Sequence, residues 1–215
     1  MKVSEMLKVV KDKADKTRCR PLNVFVSSTF VDLKPERLAV REAILRCGCL
    51  PRLAEEADMQ PRKTVLQQIP YWFRDIHVLV LLVATRYGEL APSEVSWTEQ
   101  EVRRAAKIRG VFILPYFLSP NLPAGIEFNK NRQNRLKKFK EYLMNLPSCG
   151  PALAQPPQYP NSTVDLQLRV ARDVGACQSD LRIMEVLKEM LAVWKTELES
   201  EEKRGREAHD GSFVA

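Results

Sequence analysis

Three short runs in this chain hold residue types that could do chemistry together. Ser27-Ser28-Thr29-Phe30-Val31-Asp32 sets three hydroxyls in a row ahead of an acid. Hydroxyls just before a helix N-terminus can hold a phosphate or a ribose. Turn and capping chemistry, with Asp32 capping the following helix, explains the same residues without a ligand. Thr85-Arg86-Tyr87-Gly88 offers a guanidinium for a phosphate and a ring for a base or sugar. Its plain account is a Gly88 turn with Arg86 bonded to loop carbonyls. In Ser96-Trp97-Thr98-Glu99-Gln100-Glu101, Ser96 and Glu99 form an S-x-x-E capping box, which gives Glu99 a structural task. Glu101 differs. On a helical wheel it falls inside the arc of Val102, Ala105, Ala106 and Ile108, opposite Gln100, Arg103, Arg104 and Lys107. A carboxyl on the buried side of a helix start is either a site or half of an ion pair with Arg86 or another buried Arg.

The elements that must position these runs alternate. Residues 3–18 have helical spacing. Leu22–Ser27 reads as a strand, Pro35 to Cys47 as a helix stopped by Gly48, and Leu50–Ala54 as a short strand. A helix over 62–73 carries Pro70. Ile76–Thr85 is continuously apolar, as a central parallel strand buried on both faces would be. A helix over 96–109 precedes the strand Val111–Leu118, where Pro115 implies a bulge or a place near the sheet edge. Lys130–Asn145 is a basic helix. The stretch 146–160 is Pro-rich and reads as a loop. Residues 163–174 fit a strand by alternation and a helix by the spacing of Leu166, Val170 and Val174. Ser179 is expected to cap a last helix reaching Arg204, with a frayed tail from Gly205. The expected division is an N-terminal helix over 1–20, an α/β domain over 21–146, a Pro-rich loop over 147–162, C-terminal helices over 163–204 and a tail over 205–215. Strand–helix alternation predicts a parallel sheet between helical layers. In such sheets ligands bind beyond the carboxyl ends of the strands, which is where all three runs fall. Ser27, Ser28, Arg86 and Glu101 are therefore expected to line one cleft.

Composition narrows the classes. The chain has 215 residues, 34 Lys plus Arg against 27 Asp plus Glu, and 45% hydrophobic residues, enough for a core and too apolar for wholesale disorder. The longest apolar run, Val78–Ala84, falls far short of the roughly 20 residues that span a bilayer, so no membrane partner is expected. Five cysteines without a CxxC and only two histidines argue against a metal site and for reduced thiols, hence a cytoplasmic protein. The basic residues on 130–140 and 103–109 come with no recognition motif or aromatic platform, so a solvated face is favoured over nucleic acid. No cofactor is expected.

The run VFVSSTFVDLKPER, then RYG, then SWTEQEVRRA, resembles domain-of-unknown-function family 4062, whose pattern is F-x-S-S-T-F-x-D-L-x-x-E-R, R-Y-G and S-x-T-E-x-E-x-x-x-A. The resemblance spans residues 22–120. The family looks like a relative of TIR domains and nucleoside deoxyribosyltransferases. It implies a flavodoxin-like (TIR-like) three-layer sandwich with a parallel central sheet and helical additions at both ends, and a helix over 163–174. Such domains often stand N-terminal to a STAND-type NTPase and repeat sensors in signalling or defence proteins. Catalytic TIR domains use the Glu of W-x-x-x-E-x-x-x-A to split the nicotinamide–ribose bond of NAD; Trp97, Glu101 and Ala105 reproduce that spacing.

Two functions from different classes follow. One is an N-glycosidase acting on NAD or a related nucleotide, with Glu101 at the ribose and Ser27, Ser28, Thr29, Asp32, Arg86, Tyr87 and Trp97 around the ligand. The other is a non-catalytic module that pairs with copies of itself or with downstream domains. A carboxylate facing a cleft favours the first; a Glu101 consumed by a buried Arg favours the second.

Overall fold

A computed structural model describes residues 8–10, 12–13, 20–29, 32–53, 73, 75–118, 129–146 and 153–210. The expected helix over 62–73 lies outside these residues except for Phe73, which is buried with its ring 5.0 Å from that of Phe25. Of the N-terminal helix, residues 8–10 and 12–13 are helical.

The described elements are β1 (Asn23–Ser28), α1 (Lys34–Arg46), β2 (Leu50–Leu53), β3 (Val78–Val83), α2 (Trp97–Ala105), β4 (Phe112–Phe117), α3 (Lys130–Met144), β5 (Leu153–Ala154) and α4 (Thr163–Asp210). The strands form one parallel sheet in the order β2-β1-β3-β4-β5, the doubly wound order of flavodoxin-like folds. β1 and β3 are adjacent and parallel, with Val24 opposite Val78 and Ser28 opposite Leu82.

Strand parity sorts the layers. Phe25, Leu79, Leu81, Val83, Ile113 and Phe117 point to one face and pack with Val102 and Ala105 of α2 and Leu136, Phe139 and Leu143 of α3. The other face takes α1 and the start of α4. There the Tyr116 hydroxyl donates to Asp173 Oδ2 (2.7 Å), and Gln167 Nε2 donates to the Ala39 carbonyl (3.2 Å). Leu166, Val170, Val174 and Cys177, all fully buried, form the inner stripe of α4.

Both prolines in strands lie where a missing N–H costs little. Phe112 and Leu118 send their N–H groups to β3, onto His77 and Val83. The Pro115 nitrogen therefore faces the other way, beyond the two residues of β5, and no bulge is needed. Leu50 donates to the Leu22 carbonyl, so the nitrogen of Pro51 faces away from β1.

Four expectations change. The Pro-rich stretch is not merely a loop: Leu153–Ala154 pairs with β4, and Gln158 exchanges backbone hydrogen bonds with Pro115 and Phe117. Two residues are too few for alternation to show in the sequence. α2 stops at Ala105 rather than Arg109, because Lys107 and Ile108 bond back three residues to Arg104 and Ala105, in a tighter turn that ends before Gly110. Ser179 is not a cap. It lies inside α4, whose inner stripe continues past Val174 to Cys177 with nothing to break the helix. α4 also runs through Gly205 to Asp210, where a frayed tail was expected. Its true cap is Ser162, which accepts the N–H of Asp165, while the Asp165 carboxylate accepts the N–H of Asn161, one residue before the cap.

The chain divides into two compact units, Pro21–Cys177 and Met1–Arg20 with Gln178–Ala215. In the second unit, Val10 packs on Val186, flanked by Ile183, Leu187 and Met190. No helix among the described residues is long and apolar enough to cross a membrane.

Candidate functional site

β1 brings Ser27 to the face of the sheet covered by α2, since Ser27 shares the parity of Phe25. α2 starts at a defined point because the Ser96 hydroxyl accepts the N–H of Glu99 (3.2 Å). The other half of the expected capping box is taken over by a tyrosine. Tyr87 Oη accepts the Ser96 N–H (3.3 Å) and donates to Glu99 Oε2 (2.7 Å), while Arg103 Nε donates to Glu99 Oε1 (2.7 Å). Glu99 is thus a structural residue, as the sequence implies, but it reaches the cap through Tyr87.

With the helix start fixed, the wheel argument holds: Glu101, Val102 and Ala105 are buried, and Arg103, Arg104 and Lys107 are exposed. Ser27 Oγ donates to Glu101 Oε2 at 2.5 Å. Ser27 is 1% and Glu101 7% exposed. Burial pushes the Glu101 carboxyl up from its ordinary 4.5 to about 7, against the opposing pull of the Ser27 hydroxyl and the Arg37 charge. Glu101 forms no ion pair with Arg86 or any other Arg among the described residues. At neutral pH this carboxyl is close to half ionised, so it can accept a proton or present a negative charge where charge develops.

The other expected site residues divide. Thr29 lies against the RYG loop: a Cβ at Gly88, whose φ is 90°, would sit 3.0 Å from the Thr29 methyl. The first two motifs therefore touch, and glycine is required for both its conformation and the close approach. Ser28 Oγ donates to the Thr29 carbonyl (3.2 Å). Arg86 follows β3 at the same end of the sheet, half-buried, with no hydrogen bond or ion pair among the described residues. Trp97 packs, partly buried, against the core. Tyr87 departs from its expected role. Its ring belongs to the core and its hydroxyl to the cap, so it offers no stacking face to a ligand here. Asp32 is not a cap either. Leu33 stands at the cap position of α1 without a side-chain bond, and both Asp32 oxygens are buried with no hydrogen-bond partner.

Two charged residues near the site were missed by the sequence reading. Glu36 is fully buried and Arg37 is 5% exposed. Burial, with Asp32 adding, raises the Glu36 carboxyl above its ordinary value. A wheel for α1 would have found both, because they fall four and three residues before Val40 on its inner face. Asp173 was missed as well. It accepts from Tyr116, from Gln158 Nε2 (2.6 Å) and from Arg172 Nε (2.8 Å), a network that fastens α4 to the sheet.

The fold and this site define a flavodoxin-like α/β domain with a hydroxyl–carboxyl pair at the carboxyl end of its central strands. The chain belongs to the family described as "Domain of unknown function (DUF4062)", which it matches over residues 23–174. No curated protein matches the sequence significantly. Among solved structures it is similar to a mutant flavo di-iron protein from Thermotoga maritima, with 12% identity and a TM-score of 0.43 over 79% of this chain. The match covers 39% of that protein.

Proposed function

We propose that this domain is a nucleotide N-glycosidase, acting on NAD or a related nucleotide, with Glu101 as its catalytic carboxyl. The observation that supports it is the bond between Ser27 and Glu101: a buried ionisable acid at the ligand end of the sheet is oriented by a hydroxyl, and the Arg37 charge acts on it without a direct ion pair among the described residues. In the proposed step the bond from the anomeric carbon to the base nitrogen breaks, and its electron pair leaves with the base. Ionised Glu101 stabilises the positive charge that develops on the ribose. Water then adds to the anomeric carbon and releases a proton. Ser27 holds the carboxylate in place, and Arg86 is the proposed phosphate contact. The resemblance to TIR domains extends the proposal to a signalling or defence effector at the N-terminal side of a STAND-type protein, assembling as a homo-oligomer.

The test is nicotinamide release from NAD by the purified chain, followed by chromatography. Glu101→Gln should cost roughly 10²–10³-fold or more in rate. The wild-type rate should rise with pH as Glu101 ionises near 7. Turnover that survives Glu101→Gln, or no turnover of any nicotinamide nucleotide, removes the reading.

A second reading, the non-catalytic interaction module, is favoured by Leu38 and Leu45, two turns apart on the outer side of α1 and 52% and 46% exposed. Its test is the mass in solution of the chain and of Leu38→Lys. A monomer at all concentrations rejects self-association.

A further inference from the structure

Two helices of this domain keep most of their cations apart from any acid. On other helices the signs interleave: Glu42 pairs with Arg46 on α1, and Asp165 with Arg169 and Lys195 with Glu199 on α4. On α2 and α3 the acids are withdrawn. Glu101 is buried and bonded to Ser27, and Glu99 is buried and held by Tyr87 and Arg103. Six cations are left over: Arg104 on α2, Lys107 and Arg109 in the turn that ends it, and Lys130, Lys137 and Lys138 on α3. All six are exposed, and none has a side-chain hydrogen bond or ion pair among the described residues. Against them the two helices expose a single acid, Glu141. The six share one layer, because α2 and α3 cover the same face of the sheet and meet where the Arg103 guanidinium lies 4.5 Å from the centre of the Tyr142 ring. Packed helices stand ~8–10 Å apart. With 15 residues, α3 is ~22 Å long, so the charges are spread over a plate rather than gathered at a point.

We propose that the outer face of α2 and α3 is a docking surface for an anionic lipid bilayer. A plate of cations is matched by an extended anionic surface, not by a small anion that two or three of them would saturate. Clusters of this number of Lys and Arg on a helical surface are attracted to acidic headgroups. Lys outnumbers Arg among the six, and an ammonium is a point charge that suits scattered headgroups rather than bidentate recognition. Met144 lies two turns on from Lys137, on the same side of α3, and is 53% exposed. An apolar side chain among the cations gains nothing against a phosphate backbone, whereas at a bilayer it enters the acyl boundary while the ammonium groups stay at the headgroups. The aromatic residues of α3 give nucleobases no platform: Phe139 is buried, and the Tyr142 ring is covered by Arg103. Such contact stays at the membrane surface and needs no spanning segment. The proposal does not depend on the glycosidase reading.

The test is sedimentation of the full chain with vesicles of phosphatidylcholine alone and of phosphatidylcholine mixed equally with phosphatidylserine. Binding should be confined to the mixed vesicles and should fall steeply between low salt and about 0.5 M. Lys137→Gln with Lys138→Gln should weaken it by roughly tenfold or more. Arg104→Gln with Lys107→Gln, on the other helix, should do the same, and this pair decides where the first fails to fold by circular dichroism. Lys188→Gln with Lys195→Gln removes the same charge from α4 and should leave binding nearly unchanged. No binding to the mixed vesicles overturns the proposal, and binding to a duplex DNA fragment instead would assign the face to nucleic acid. An equal loss in the α4 variant also overturns it, because the effect would then be one of net charge alone.

Discussion

Replacing Glu101 by Gln should stabilise this protein above neutral pH, an outcome opposite to that expected of a residue in a buried ion pair. The carboxyl titrates near 4.5 when unfolded and at about 7 when folded. Below pH 4.5 it is protonated in both states and contributes no pH dependence. Between these values the unfolded chain gives up the proton while the folded chain keeps it, so stability falls as pH rises. Above 7 the loss is complete. At about 1.36 kcal/mol for each tenfold step in proton affinity, it amounts to roughly 3 kcal/mol. Gln retains the shape and can still accept from Ser27, but it carries no charge to desolvate. The opposing pull of Arg37 is already contained in the net value, so losing it does not reverse the sign. Wild type and variant should unfold alike near pH 4. At pH 8 the variant should be ahead by roughly 3 kcal/mol, or about 6–12 °C for a chain of this length. Urea unfolding of both proteins across pH 4–8 reads this difference directly, and groups common to both cancel. A variant that is weaker than wild type at pH 8, with an unchanged pH slope, would refute the reasoning and restore the ion-pair account.

Gly88→Ala should destabilise by on the order of 1–2 kcal/mol from its positive φ alone, with a further cost from the Thr29 methyl 3.0 Å away. Adding Thr29→Ser should recover only the second part, which a double-mutant cycle by thermal melts would isolate. Asp173→Ala should cost about 1–3 kcal/mol or more, because the buried Tyr116 hydroxyl loses its acceptor. Tyr116→Phe should cost only about 1 kcal/mol, since Asp173 keeps Gln158 and Arg172. Denaturant unfolding that ranks the two in the opposite order would dismiss the network as the fastening of α4.

Much of the architecture was legible because burial on both faces leaves a plain trace. β3 is six apolar residues in a row, and all six are buried. Glu101 was legible for a related reason: one acid inside an apolar arc is conspicuous on a wheel. What escaped was set by partners distant in sequence. Tyr87 looked like a ligand platform because the chain does not reveal that Ser96 and Glu99 would claim its hydroxyl. β5 exists through its register with β4, not through a pattern of its own. Ser179 looked like a cap by residue type, but a cap also requires the preceding chain to leave the helix, and the inner stripe through Val174 and Cys177 holds it in.

The placement of the two strand prolines bears on how this domain can associate with other chains. An open sheet invites a foreign strand wherever a row of unpaired N–H and C=O groups is left along its border. In the described sheet one border is β2, where the Pro51 nitrogen faces outward and has no hydrogen to give. The other is β5, only two residues long, and beyond it Gln158 already occupies the carbonyl of Pro115 and the N–H of Phe117. Neither border offers an uninterrupted template, so the sheet resists growth by strand addition and the cross-β association that follows from it. Were this domain to pair with another chain, these borders would leave the contact to its helix surfaces, where specificity is carried by side chains rather than by the backbone.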